Sequence, residues 1–312
     1  LPKPNINLNV SGGDHGHQTG RIMVEFEPIL EKENPDAIIV VGDVNSTIAC
    51  ALVAAKKHIS VIHIEAGLRS GDMGMPEEVN RVLTDRISDL LFASERTALD
   101  NLDNEGIAKE KVHFVGNVMI DSLLSHREKA LSLDVISKYN LEKKGYIVIT
   151  LHRPSNVDDD LRLSELVEFV LELSSQIKLA IPLHPRTRGR LEMLGVLERL
   201  KKNSNIVLTT PLGYYEFMNL MANSRAVITD SGGIQEETTI LKVKCFTARE
   251  NTERPATITE GTNELLPWDI QGMRQRLLSE LQENVQVRES VPEYWDGKAA
   301  DRIARILSSH FR

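Results

Sequence analysis

Chemically capable side chains in this chain recur at one kind of place, the end of a short apolar run. Asp43 follows the run 37–41, Glu65 ends the run 61–64, and His152-Arg153 follow 146–150. His184-Pro185-Arg186 follow 179–183, and Asp230-Ser231-Gly232-Gly233 follow 226–229. Glu77 differs, standing in the first turn of a helix opened by Pro76. In parallel α/β sheets ligands bind outside the carboxyl ends of the strands, so all of these residues except Glu77 fall on the ligand side. Carboxylates that converge raise one another's pKa, which suits acid–base work near neutral pH. Gly67, Arg69 and Gly71 follow Glu65, a glycine-spaced loop of the kind that lets backbone approach a ligand. Glu77 and Arg81, four apart, share a helix face and form either a solvated pair or part of a site.

The sharpest single motif is Ser231-Gly232-Gly233-Ile234-Gln235-Glu236-Glu237. A strand ends before it, the glycines allow a tight turn with exposed backbone N–H groups, and a helix begins. Exposed N–H groups and the helix dipole together make an anion site, suited to a phosphate or diphosphate. Glu237, about one turn further in, is placed to accept hydrogen bonds from ribose hydroxyls. The alternative is a glycine turn with an acidic helix start that binds nothing. The spacing is neither the dinucleotide fingerprint nor a P-loop. His152 either contacts a phosphate or acts as an acid, or is structural, and His184 and Arg186 carry similar alternatives. Asp14-His15-Gly16-His17 has metal-binding residue types but no second cluster with matching spacing, so no metal is expected. The loop Arg249-Glu250-Asn251-Thr252-Glu253-Arg254-Pro255 offers arginines either to phosphate or to their own glutamates.

These positions need elements to hold them. Ile22, Phe26, Ile29 and Leu30 recur at helical spacing, predicting a helix over 18–32 with a kink or break at Pro28. The continuous run 37–41 suits a strand buried on both faces of a parallel sheet. Asn45 or Ser46 then caps an alanine-rich helix to about Lys57. Strand 61–64, helix 76–87 with Glu77 and Glu78 in its first turn, strand 90–93 with Ser94 capping the next helix, and strand 112–115 follow. A linking helix is expected over 121–138. Strands at 146–150, 179–183, 206–208, 226–229 and 244–246 form a second series, and helices at 270–284 and 297–307 close the chain. Such alternation predicts two doubly wound α/β domains, with a cleft between them as the default ligand site.

The 312 residues fit two domains of about 150 each. Hydrophobic residues at 41% and charged residues at 26% exclude wholesale disorder, collagen-like repeats and a membrane bundle. The longest apolar run, 48–55, falls far short of the roughly 20 residues that span a bilayer, and no signal-peptide pattern opens the chain. A net charge of -8 and a pI of about 5.7 give no electrostatic case for nucleic acid or anionic lipid. Cys50 and Cys245 are expected as buried free thiols, which fits the cytoplasm, and the sequon Asn45-Ser46-Thr47 is taken as chance. The chain opens Leu1-Pro2-Lys3-Pro4 without methionine, so its true N-terminus is expected to lie upstream.

Four segments carry a resemblance. His63-Ile64-Glu65-Ala66-Gly67-Leu68-Arg69-Ser70, Met75-Pro76-Glu77-Glu78-Val79-Asn80-Arg81, Thr229-Asp230-Ser231-Gly232-Gly233-Ile234-Gln235-Glu236-Glu237 and Glu250-Asn251-Thr252-Glu253-Arg254-Pro255 resemble the non-hydrolysing UDP-N-acetylglucosamine 2-epimerases. Gly42-Asp43 and His152-Arg153 match as well, and the resemblance runs from about Asn7 to the C-terminus. It implies a GT-B fold of two Rossmann-like domains facing a deep cleft. The first would comprise 1–118 with a returning C-terminal helix in 297–312, and the second 119–296. It further implies a homodimer that uses neither metal nor nicotinamide and interconverts UDP-N-acetylglucosamine and UDP-N-acetylmannosamine at C-2. The C-2 hydrogen has no adjacent carbonyl to acidify it, and the family's route is elimination of UDP to 2-acetamidoglucal followed by re-addition. Elimination needs a base at C-2 and charge stabilisation on the diphosphate. By motif, Asp43, Glu65, Glu77 and His152 fall on the family's catalytic positions. Ser231, Gly232, Gly233 and Glu237 fall on its UDP-binding positions, His184 and Arg186 are further nucleotide-side candidates, and Arg81 matches an arginine near the acids.

One departure stands out. The family begins with a strand and a Gly-x-Arg-Pro-Glu loop, and nothing ahead of Leu1 supplies them in this sequence. A stretch is therefore expected to be missing from the record or from the ordered structure, which would leave the first sheet with an unpaired edge. The family's allosteric site draws on the same early region, so no regulation is expected from what remains, although Gln18 and Arg21 are placed to contribute. Competing readings are a hydrolysing epimerase, a GT-B glycosyltransferase with an acceptor pocket, and a nucleotide-sugar-binding protein without turnover. The segment 75–81 favours the non-hydrolysing branch, and the joint presence of Asp43, Glu65, Glu77 and His152 favours turnover.

Overall fold

A computed structural model describes residues 3–267, 269–282 and 288–311. Two units share the chain, Leu1–Val118 with Glu293–Arg312, and Met119–Pro292. The first takes in residues 293–296, ahead of the expected boundary at 297, because Trp295 is buried there and donates its Nε1–H to the Ser94 carbonyl at 3.0 Å.

The first unit contains α1 (His15–Glu33), β1 (Ala37–Val41), α2 (Asn45–Lys56), β2 (Ser60–Ala66), α3 (Pro76–Ile87), β3 (Leu90–Ala93), α4 (Arg96–Asn104) and β4 (Val112–Phe114). The second contains α5 (Val118–Leu131, starting at the boundary), α6 (Val135–Lys138), β5 (Tyr146–Thr150), α7 (Pro154–Val157), α8 (Asp160–Leu173), β6 (Lys178–Pro182), α9 (Pro185–Met193), α10 (Leu197–Lys201) and β7 (Ile206–Thr209). It continues with α11 (Tyr214–Asn223), β8 (Ala226–Thr229), α12 (Gly232–Leu241), β9 (Lys244–Thr247), α13 (Ala256–Thr259), β10 (Asn263–Leu265) and α14 (Ile270–Gln282). The last helix, α15 (Ala299–His310), belongs to the first unit. Both sheets are parallel, in the orders β1-β2-β3-β4 and β10-β9-β8-β5-β6-β7.

Apolar periodicity dictates which face each element buries. Leu30 of α1 and Ala51, Val53 and Ala54 of α2 pack on Val40 and Val61, while Ile303 of α15 covers Ile62, Leu90 and Phe92 on the other face. β1 is not buried on both faces as its composition predicts. It is an edge strand, and Ile39 and Val41 are 52% and 48% exposed beside a groove of about 490 Å³. The second unit's core surrounds Ile147, Leu163, Phe169, Leu179, Ile228 and Phe246.

Several local expectations are corrected. α1 starts at His15 and runs unbroken through Pro28, because the carbonyl that Pro28 frees belongs to the exposed Val24 and faces water while Ile22 and Leu30 hold the helix down. Val44, not Asn45 or Ser46, occupies the N-cap of α2, since the Asn45 side chain is engaged by Gln18. Glu95 rather than Ser94 precedes α4. The linking helix divides into α5 and α6, and Asn219 caps the break by donating to the carbonyls of Ala130 and Leu133. β10 has no apolar run to announce it. The expected end of the helix 270–284 lies outside the described residues. Cys50 is half-buried and Cys245 buried, both as free thiols. No described helix is long and apolar enough to cross a membrane.

Candidate functional site

In the first unit, β1 gives way to Gly42, whose φ of +68° only glycine adopts freely, and the Gly42 N–H donates to Ile64 O at 3.0 Å. Asp43 follows. Its Oδ2 accepts from Arg81 Nε at 3.0 Å and Nη2 at 2.6 Å, and Arg81 Nη1 donates to Glu78 Oε2 at 2.6 Å. The Arg81 and Glu78 side chains are 3% and 2% exposed, so Arg81 is no surface partner of Glu77. Glu78 also accepts the N–H groups of Ser70 and Gly71 and the Ser70 hydroxyl. Burial opposes its charge, yet these bonds and Arg81 outweigh burial and hold its carboxyl below the usual range.

Glu65 sits on a β-bulge, where the pairing of β2 with β3 slips between Ile64 and Ala66. Its φ of +72° places a side-chain-bearing residue in the left-handed region, at a cost of about 1–2 kcal/mol. Glu65 Oε2 lies 3.5 Å from where a Cβ on Gly42 would stand, so this carboxylate adjoins the Gly42-Asp43 turn. Glu77 and Asp43 line a cleft of about 360 Å³ with His15, Gln18, Asn45 and Asn80, and Glu65 is not part of that lining. Asn80 Nδ2 donates to Asp43 O at 2.8 Å, Asn45 Nδ2 to Gln18 Oε1 at 2.6 Å, and His15 Nδ1 lies 3.3 Å from Asn45 Oδ1. Amides thus engage the histidine that could have bound metal, and no cluster of three or more metal-ligating side chains occurs among the described residues.

In the second unit the chain leaves β5 and β8, which lie side by side, in opposite directions across the sheet, making a topological switch point. Asp230, just after β8, is fully buried. Its Oδ2 accepts from His152 N at 2.9 Å, Arg153 N at 2.8 Å and Asn156 Nδ2 at 3.0 Å, while Oδ1 lies 3.0 Å from His152 Nδ1. Burial works against the Asp230 charge, but these donors hold its carboxyl below the usual range. The ring turns Nδ1 toward the carboxylate, which leaves Nε2 for a ligand on a side chain 36% exposed. The His184 ring lies 5.1 Å away and caps α9 by accepting Arg186 N–H, and burial, then the neighbouring His152, lowers its pKa. Arg186 is an exposed residue that forks onto Asp158, with Nε to Oδ1 at 2.9 Å.

Ser231 stands at the N-cap of α12, and its N–H donates to Thr229 Oγ1 at 3.1 Å. A Cβ on Gly232 would stand 2.6 Å from both Arg254 Nη1 and Glu253 Oε1, whereas one on Gly233 would meet nothing within 4 Å. The charged loop therefore packs beneath the turn. Arg249 Nη2 lies 2.8 Å from Glu253 Oε2 and Arg254 Nε lies 2.9 Å from Glu236 Oε1, so the arginines pair with their glutamates. Although burial opposes ionisation, Arg254 and Arg249 push the Glu253 carboxyl down to about 2. Glu237 behaves oppositely: burial pushes it up to about 7 against a hydrogen bond from Tyr214.

Sequence reasoning passed over Glu78, Asn80, Asn156 and Tyr214. Glu78 had a signal, its three-residue spacing from Arg81 on a helix; the other three join through tertiary contacts that no spacing encodes.

Comparison with known proteins identifies the family. The family described as UDP-N-acetylglucosamine 2-epimerase matches residues 1–308. A UDP-N-acetylglucosamine 2-epimerase of Methanocaldococcus jannaschii is 42% identical over 314 residues, spanning 99% of this chain and 85% of the relative. A UDP-2,3-diacetamido-2,3-dideoxy-D-glucuronate 2-epimerase of Pseudomonas aeruginosa is 41% identical over 99% of this chain and 84% of its own. The crystal structure of the M. jannaschii epimerase in complex with UDP-GlcNAc and UDP matches with a TM-score of 0.90, over 99% of this chain and 85% of that one. With two parallel sheets flanked by helices and this likeness to solved epimerases, the architecture is the α/β GT-B fold, and the chain belongs to the UDP-N-acetylglucosamine 2-epimerase family.

Proposed function

We propose that this protein interconverts UDP-N-acetylglucosamine and UDP-N-acetylmannosamine without releasing free sugar. A carboxylate of the first unit takes the C-2 proton, the bond from C-1 to the diphosphate oxygen breaks, and its electron pair leaves with UDP. 2-Acetamidoglucal, with a C-1=C-2 double bond, remains. UDP then adds back at C-1 while a proton is delivered to the opposite face of C-2. Asp43, Glu65 and Glu77 are the candidate proton carriers, with Arg81 fixing Asp43. His152, oriented by Asp230, assists the departing diphosphate, and the α12 N-terminus at Ser231, Gly232 and Gly233 receives it. Glu237 takes the ribose hydroxyls, with His184 and Arg186 on the nucleotide side. The observation that carries this reading is the His152–Asp230 pair beside an open glycine turn at the switch point, in a chain whose other unit groups Asp43 and Glu77 around one cleft. A homodimer is part of the proposal, and light scattering on the purified protein checks it.

The relative from P. aeruginosa is nearly as similar as that from M. jannaschii, so a UDP-linked 2,3-diacetamido glucuronate is the second candidate substrate. Proton NMR in D2O with each nucleotide sugar separates the readings. Inversion with deuterium entering C-2 of both UDP-hexosamine epimers supports the proposal. Inversion of the glucuronate alone moves the substrate, and free N-acetylmannosamine accumulating with UDP selects hydrolysis. Glu65→Gln and Glu77→Gln are expected to lose about 100-fold or more in turnover while still binding UDP, and unchanged rates in both remove them from the mechanism.

A further inference from the structure

We propose that His63 and Asp85, both fully buried and out of reach of any substrate, are positioning residues that clamp together the two turns carrying Asp43 and Glu65. The inference rests on the epimerase reading above.

His63 lies within β2, paired in register with Val40 of β1 and Leu91 of β3. Its Nε2 lies 2.9 Å from the carbonyl of Gly42, the residue before Asp43. Its Nδ1 lies 2.6 Å from Asp85 Oδ1. Asp85 Oδ2 in turn accepts the N–H of Gly67 at 3.0 Å, two residues after Glu65, and Arg69 Nη2 at 2.8 Å. Arg69 continues to Glu105, with Nε to Oε1 at 2.7 Å. One chain of polar contacts therefore runs from the Asp43 turn through His63 and Asp85 to the far side of the Glu65 bulge.

Two physical arguments give that chain a purpose. Buried polar groups are expensive to desolvate and are often replaceable by apolar side chains, so stability alone does not call for a His–Asp contact in the middle of a sheet. The left-handed backbone of Glu65 persists only where its surroundings over-determine it, and Asp85 holds the residues just beyond the bulge. Both ring nitrogens of His63 face oxygens, so the ring bridges the Gly42 carbonyl and the Asp85 carboxyl.

The test combines steady-state kinetics, UDP calorimetry and amide hydrogen exchange. In the full chain, His63→Gln keeps a donor near the Nε2 position, His63→Asn keeps one near Nδ1, and Asp85→Asn removes the carboxylate. Each is expected to lower kcat by about 100-fold, the penalty of a displacement near 1 Å at a reacting group. UDP affinity should stay within about twofold, as for distant independent sites. In the wild type the Gly67 amide, which donates to Asp85 Oδ2, should be strongly protected from exchange, and in the folded variants that protection should fall. A Gly67 amide that exchanges freely in the wild type overturns the clamp even if the variants fail to fold, as does wild-type kcat in folded variants. Asp43→Asn and Glu65→Gln separate this failure from that of the parent reading. If they lose turnover while the His63 and Asp85 variants keep it, the clamp alone is wrong. If they too keep it, the catalytic assignment falls.

Discussion

The two adjacent glycines of the α12 turn make opposite predictions. A Cβ on Gly232 would sit 2.6 Å from two atoms of the Arg254–Glu253 pair, which are themselves 2.5 Å apart on side chains 10% and 2% exposed. Neither group can swing into solvent, so Gly232→Ala must retract the helix start or separate the pair. Overpacking of this kind costs about 1–3 kcal/mol, which in a unit of this size lowers Tm by roughly 2–10 °C. Gly233 has open space where its Cβ would go, and it lies inside the helix, so Gly233→Ala should leave stability unchanged or raise it by about 0.5 kcal/mol. That open space is where the proposed diphosphate approaches the backbone, and a methyl group there should weaken UDP binding by about tenfold or more. Differential scanning calorimetry with and without UDP reads both quantities in one experiment. A Gly233→Ala protein that binds UDP as the wild type does would refute the assignment of this turn to phosphate. A Gly232→Ala protein of undiminished Tm would refute the packing argument.

Three further outcomes follow from the same structure. Arg81→Met leaves the buried Glu78 without its guanidinium and should cost about 3–5 kcal/mol in urea unfolding, whereas a loss below about 1 kcal/mol would show that the pair is dispensable. Glu237 titrates near 7 in the folded protein against an ordinary 4.5, so the unfolded chain releases a proton that the folded one keeps. Stability should therefore fall by about 3 kcal/mol as pH rises through that window, and Glu237→Gln should match the wild type near pH 4 and exceed it near pH 8; parallel pH profiles would contradict this. Glu65→Gly relieves the φ of +72° and should add about 1 kcal/mol of stability while abolishing turnover, and a less stable variant would show that the bulge is unstrained.

The alternation of apolar runs with amphipathic stretches was enough to predict two α/β series. Strands over 37–41, 90–93, 146–150 and 226–229 coincide with β1, β3, β5 and β8, since backbone satisfaction forces such runs into sheets. The same reading placed Asp43, His152 and Asp230 at strand ends, because a strand's carboxyl end is a property of chain direction alone. Strand order was not legible. That β5 adjoins β8, bringing Asp230 onto the backbone of His152, depends on pairing between segments nearly eighty residues apart, and local composition carries no record of it. The unpaired edge of the first sheet was expected, but composition could not reveal that one face of β1 is open, since Ile39 and Val41 read identically whether covered or exposed. Charge pairing failed for a related reason. Helical spacing put Arg81 beside Glu77, but the fold buries it, and the buried Glu78 together with the partly exposed Asp43 from another element take the guanidinium. The sequence by itself determined which residue types stand at which strand ends. Tertiary structure decided which of them are paired, strained or left open to a ligand, because burial and long-range packing set those properties.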